Sequence, residues 1–188
     1  MKSKKLLITG FDPFGGETVN PSWEAVKLLP DTLGDYALTK LEIPTVFGRA
    51  AQTVLETALP LQPDVILLIG QAGGRTAITP EVVGINLREA RIPDNAGVQF
   101  SNVPVIPDGP AAYFTTVPVR EMVKAITEAG IPASLSYSAG AFVCNDTLYA
   151  LLHHYHNSDT RVGFIHVPFL PQQAKETVFS LSLDIHNI

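Results

Sequence analysis

A single cysteine among 188 residues leaves no partner for an intrachain disulfide and too few thiols for a cysteine-based zinc site. Cationic residues are also scarce: Lys and Arg total 13 against 18 Asp and Glu, for a formal net charge of −5. With no basic stripe visible, neither nucleic acid nor an anionic membrane is expected as a partner. No apolar run approaches the roughly 18 residues of a membrane span. The basic start leads only into Leu6-Leu7-Ile8 before Thr9-Gly10, too short for the apolar region of a signal peptide. One thiol and no leader predict a cytoplasmic protein in a reducing compartment.

What the chain does have is apolar residues, 46% of the total, with only 16% charged. That balance and length predict one compact domain over residues 1–188, with no repeat, low-complexity tract or dividing linker. Short apolar runs stopped by breakers predict strands at 6–9, 38–43, 65–69, 81–87, 133–137 and 162–167. Between them, patterning predicts a helix starting at Asn20-Pro21-Ser22-Trp23-Glu24, others at 47–59, 118–129 and 144–154, and a last short one opened by Pro171. Residues 91–111, rich in Pro, Asn, Asp and Gly, read as a long surface loop. This alternation predicts an α/β fold, a three-layer α/β/α arrangement around a largely parallel, mixed central sheet. Ligands in such folds sit beyond the carboxyl ends of the strands, which selects the loops beginning at Gly10, Gly70, Ser138 and Val167.

The lone thiol lies at one of these places. Tyr137-Ser138-Ala139-Gly140-Ala141-Phe142-Val143-Cys144 reads as strand, small-residue loop and helix start. Unpaired N–H groups and the helix dipole there predict a lowered thiol pKa and an oxyanion site; the competing reading is an inert buried cysteine. Of five histidines, His153, His154 and His156 crowd a helix end, while His166 stands at the carboxyl end of the 162–167 strand. A Cys144–His166 pair is the combination expected to carry nucleophilic chemistry. For the acid that orients the imidazole, Glu81 leads. Asp64 begins its strand at the wrong sheet edge, and Asp146 suits the helix dipole. Neither Gly-rich loop matches a dinucleotide or P-loop pattern. Arg88 and Arg91 read either as a surface pair or as one guanidinium at the site mouth. No metal or cofactor is called for.

Several long motifs together resemble the pyrrolidone carboxyl peptidase (pyroglutamyl peptidase I) family of cysteine peptidases. They are Gly10-Phe11-Asp12-Pro13-Phe14-Gly15-Gly16 through Asn20-Pro21-Ser22; Gly70-Gln71-Ala72-Gly73-Gly74-Arg75 with Thr79-Pro80-Glu81; Glu89-Ala90-Arg91-Ile92-Pro93-Asp94-Asn95; Ser138-Ala139-Gly140 with Phe142-Val143-Cys144-Asn145; and Gly163-Phe164-Ile165-His166-Val167-Pro168. The resemblance implies an omega peptidase that releases N-terminal pyroglutamyl residues through a thioester, with pyroglutamyl peptides as substrates. It implies Cys144 as nucleophile, His166 as base and Glu81 as orienting acid. It also implies Phe11, Phe14, Thr45, Gln71, Ile92, Phe142 and Val143 around the substrate, and Arg91 with the Cys144 N–H at the oxyanion. A homotetramer is implied too. The chain departs from the family pattern in the loop at 101–109 and in stopping at Ile188, short of the family's usual C-terminal helix. The alternative reading from another class is a non-catalytic small-molecule or nucleoside-binding α/β protein, for which joint presence of Glu81, Cys144 and His166 has no purpose.

Overall fold

Alternation along the first strand decides which helices cover which side of the sheet. The computed structural model describes residues 3–171 and residue 173. Its elements run β1 (Lys4–Phe11), α1 (Pro21–Lys27), β2 (Thr32–Leu33), β3 (Tyr36–Ile43), α2 (Arg49–Leu61), β4 (Val65–Gln71), β5 (Thr79–Pro80), β6 (Val83–Ile85), β7 (Ala112–Phe114), α3 (Val119–Glu128), α4 (Val143–Tyr155) and β8 (Arg161–Val167). From β1, Leu7 joins Ile66, Leu68, Val162 and Phe164 under α2 and α4, through Ala50, Val54, Val143, Leu148 and Leu151. Leu6 and Ile8 point the other way and pack with Ile69 and with Val26 of α1. Side chains of successive strand residues alternate between faces, so one strand feeds both layers.

The main sheet has the order β2-β3-β1-β4-β8-β5. β3, β1, β4 and β8 run parallel, with β2 and β5 antiparallel at the two edges. The fold is α/β with a mixed, mostly parallel sheet. Two residues per strand would not hold β5 in place alone; Glu81 N–H extends its pairing by donating to the Phe164 carbonyl at 2.9 Å.

The structure corrects three expectations. The strand expected at 81–87 divides at Glu81, and its second part, β6, leaves the main sheet to pair with β7, a strand the pattern did not reveal. The strand expected at 133–137 is reduced to isolated bridges, Ile78 with Ala133 and Glu81 with Ser136. Its ladder is started by Ile78 N–H to Pro132 O and Ser134 N–H to Ile78 O and resumed by Ser136 N–H to Pro80 O and Val82 N–H to Ser136 O. Pro80 stands where the missing donor should be and has no N–H to give. The 91–111 segment is less of a surface loop than expected: Val105 is buried, and Asn86 holds it by donating to the Ile106 and Gly109 carbonyls and accepting from Ile106 N–H. The helix opened by Pro171 and the question of a C-terminal helix lie outside the described residues.

Candidate active site

Three strand ends and one helix start converge at the carboxyl edge of the sheet. The first loop is held by its own polar residues. Asn20 caps α1 by accepting from Ser22 N–H at 3.1 Å and donates to the Asp12 carbonyl at 2.9 Å, while the Ser22 hydroxyl accepts from Phe11 N–H at 2.9 Å. A side chain on Gly10 would collide with the backbone of Trp23. The glycine is therefore explained by close approach of α1 to β1, and needs no phosphate.

Asp12 Oδ1 accepts from Thr45 N–H at 2.7 Å and Asn95 Nδ2 at 3.1 Å, and Asp94 accepts from the N–H groups of Phe47, Ala96 and Val98. These bonds bring three separate loops into one wall.

That wall encloses a cavity of about 530 Å³ lined by Phe14, Gln71, Arg75, Glu89, Arg91, Ile92, Phe142, Cys144 and His166, with the small residues at 72–73 and 139–141. Phe142 is braced by Phe14 and, edge-on, by Phe47, with ring centroids 6.1 and 5.2 Å away. Gln71 carries a buried Oε1 with no hydrogen-bond partner among the described residues. Phe11, Thr45 and Val143, all buried, stand behind the cavity rather than in its lining. Phe11 packs on Phe164 at 6.2 Å, and Thr45 is bound to Asp12. Arg91 is exposed at the rim.

Cys144 and His166 come together over Gly70. The β4–β8 ladder sets Gly70 opposite His166, and a methyl group on Gly70 would lie 3.1 Å from Cys144 Sγ and 2.5 Å from Phe164 Cζ. A Cβ here would collide with the Phe164 ring and crowd the sulfur, so glycine keeps this close approach open. Gly70→Ala is therefore expected to cost about 1–3 kcal/mol by overpacking and to displace the sulfur. Thermal unfolding together with turnover checks this, and unaltered values of both would show the contact to be slack.

Behind His166 stands Glu81, fully buried, its Oε1 2.7 Å from Nδ1. Burial pushes Glu81 upward, but bonds from His166, Ser136 and Arg75, with the attraction of His166 once it is protonated, outweigh it and leave the carboxyl below its usual range. A carboxylate only accepts, so Nδ1 carries the proton and Nε2 is the free base. Burial holds His166 below the ordinary imidazole value despite Glu81. The thiol corrects the sequence-based expectation: burial, reinforced by the Glu81 charge, pushes Cys144 up to about 12, overriding Arg75 and the backbone N–H. Both shifts favour a protonated sulfur and a neutral imidazole in the resting site.

The competing acids have other positions. Asp64 lies at the opposite sheet edge, accepting from Lys5 N–H at 2.7 Å. Asp146 is not simply a dipole partner. Fully buried, it accepts from Arg88 Nε at 2.6 Å and Gly48 N–H at 2.7 Å, anchoring the start of α4. Arg88 is thereby an internal residue, stacked over Phe47 and Phe100, and not a surface partner of Arg91. Reading the sequence missed Glu89 in the cavity lining and gave Arg75 no role. The only available signal was a cation directly after the Gly70 loop. Among the described residues no helix is long and apolar enough to cross a membrane.

Comparison with known proteins gives one consistent answer. The family model described as pyroglutamyl peptidase matches residues 4–186. A pyrrolidone-carboxylate peptidase of Enterococcus faecalis is 52% identical over 184 residues, covering 96% of this chain and 86% of the relative. One from Escherichia fergusonii is 54% identical over 173 residues, covering 91% and 81%. The crystal structure of pyroglutamyl peptidase I from Bacillus amyloliquefaciens superposes with a TM-score of 0.88 at 50% identity, over 90% of this chain and 84% of that one.

Proposed function

Since the chain belongs to the pyroglutamyl peptidase family, we propose a route by which its own residues carry out cysteine-dependent release of N-terminal pyroglutamate from peptides. The observation that carries it is the buried Glu81–His166 hydrogen bond at 2.7 Å ending at the wall that Cys144 shares.

The pyroglutamyl ring enters against Phe14, Ile92 and Phe142, and Gln71 Oε1 accepts from the lactam N–H. Cys144 Sγ attacks the scissile carbonyl carbon while its proton passes to His166 Nε2. The new oxyanion is met by the Cys144 N–H, one of the first α4 donors without an intrahelical acceptor, and by Arg91. As the C–N bond breaks, the imidazolium returns that proton to the departing amine, leaving a thioester on sulfur. Water then gives a proton to Nε2 and its oxygen to the acyl carbon. The sulfur leaves, regaining the proton, and pyroglutamate is free. Glu81 stabilises the transient imidazolium and remains ionised.

A neutral thiol–imidazole pair has a distinct kinetic consequence. Activity requires only that His166 be unprotonated, so kcat/KM on a fluorogenic pyroglutamyl amide is expected to rise through one ionisation below about 6.5 and then stay level into the alkaline range. Proton transfer accompanying attack predicts slower acylation in heavy water. A rise that follows thiol ionisation instead would overturn the neutral pair, and no hydrolysis at all would overturn the function. Cytoplasmic location and a homotetramer, without nucleic-acid or membrane partners, complete the proposal. The family resemblance supports the assembly, and sedimentation at micromolar concentration tests it.

A further inference from the structure

Glu81 does not hold His166 alone. Its Oε1, the oxygen that takes the Nδ1 proton, also lies 2.8 Å from Arg75 Nη1. The same nitrogen contacts the Thr79 hydroxyl, and Nη2 donates to the Ser138 carbonyl at 3.0 Å. Arg75 thus ties the loop after β4 to the acid-bearing edge and to the segment leading into Cys144. The carboxylate is 0% exposed and the Arg75 side chain 31%, so the guanidinium delivers a compensating charge while keeping part of its hydration. The charged or titratable groups shown to act on Glu81 are His166 from β8, Arg75 from the loop after β4 and Cys144 from α4; Ser136 adds a hydroxyl.

With the imidazole and the thiol both neutral, Arg75 is the one cation among the described residues in bonding contact with this buried carboxylate. Left alone, such a group takes up a proton. A protonated Glu81 would then present O–H to Nδ1, the imidazole would shift its proton to Nε2, and Nε2 would become a donor unable to accept.

We propose that Arg75 is a positioning residue for this hydrolysis: by keeping Glu81 a carboxylate, it holds the His166 proton on Nδ1 and leaves Nε2 free to receive the Cys144 proton. The inference rests on the Glu81–His166–Cys144 reading above. Arg75 acts through Glu81 and needs no contact with the reacting atoms.

The test is the pH profile of hydrolysis of a pyroglutamyl amide by wild type, Arg75→Gln, Arg75→Lys and Glu81→Gln. Removing a cation within bonding distance is expected to raise the acid limb of Arg75→Gln by about 1–3 pH units. The lost rate then returns as pH is raised, with kcat affected more than KM. Arg75→Lys restores much of the wild-type profile. In a Glu81→Gln background, adding Arg75→Gln costs no more than about twofold, because the coupled partner is gone. A merely structural arginine would lower activity evenly across pH. An unmoved acid limb, or an undiminished loss in the Glu81→Gln background, would overturn the proposal. Should Arg75→Gln not fold, a limb in Arg75→Lys coincident with wild type, together with lowered activity at every pH, overturns it equally. Full activity of Glu81→Gln alone would instead remove the triad reading beneath it.

Discussion

Cys144→Ala is expected to abolish turnover of a pyroglutamyl amide, by about 10⁶-fold in kcat on the precedent of nucleophile removal in serine hydrolases. Its thermal unfolding should stay near that of wild type. Both halves follow from position. The sulfur sits in the first turn of α4 over Gly70, beside a cavity, so removing it vacates space that already opens to the cavity instead of sealing a void within the core. The chemistry loses its only thiol, and among the described residues no hydroxyl or amine nucleophile lines the cavity beside His166. Cys144→Ser is nearly as damaging, because a serine hydroxyl is harder to deprotonate than the thiol and His166 is held below its ordinary basicity by burial. Retention of more than a hundredth of wild-type turnover by Cys144→Ala would show that another group carries the reaction.

The second large effect is discrimination between rings. A prolyl arylamide should be hydrolysed about 10⁴-fold less efficiently than the pyroglutamyl compound. Proline fills the same aromatic slot, so shape alone separates them poorly. The difference is polar. Proline lacks the ring carbonyl and brings a protonated secondary amine, which must lose its hydration among Phe14, Ile92 and Phe142. Gln71 Oε1, already buried without a partner, can accept from the lactam N–H at no cost in broken protein bonds. Steady-state kcat/KM on the two arylamides decides this, and comparable values would refute the cavity as the specificity site.

Much of the architecture was legible because it is local. The runs ending at Gly10 and Gly70 are apolar on both faces, and only buried parallel strands tolerate that. Asn20-Pro21 states a helix start in two residues, a capping amide followed by a residue that needs no N–H. The split of the 81–87 strand was not legible, since its residues keep a strand pattern throughout and only a competing partner, β7, draws β6 away. Nor was the interrupted 133–137 pairing, whose cause is Pro80 on a different segment. Phe11 illustrates the same limit at the site: its place in the motif is beside the cavity, but whether its ring faces the substrate or Phe164 depends on the twist of β1 against β8.

The sequence by itself determined the inventory: one thiol at a helix start, one histidine at a strand end, acids enough to orient it, and no metal-binding set of cysteines. Tertiary structure decided how those groups behave. It set Glu81 against His166 across 85 positions, assigned Arg75 to the same oxygen, took Asp146 inward to Arg88, and reversed the expected ionisation of Cys144. The physical reason is that periodicity and capping act between residues a few positions apart, whereas protonation follows from hydration lost and from charges nearby in space. Those depend on which strands become neighbours.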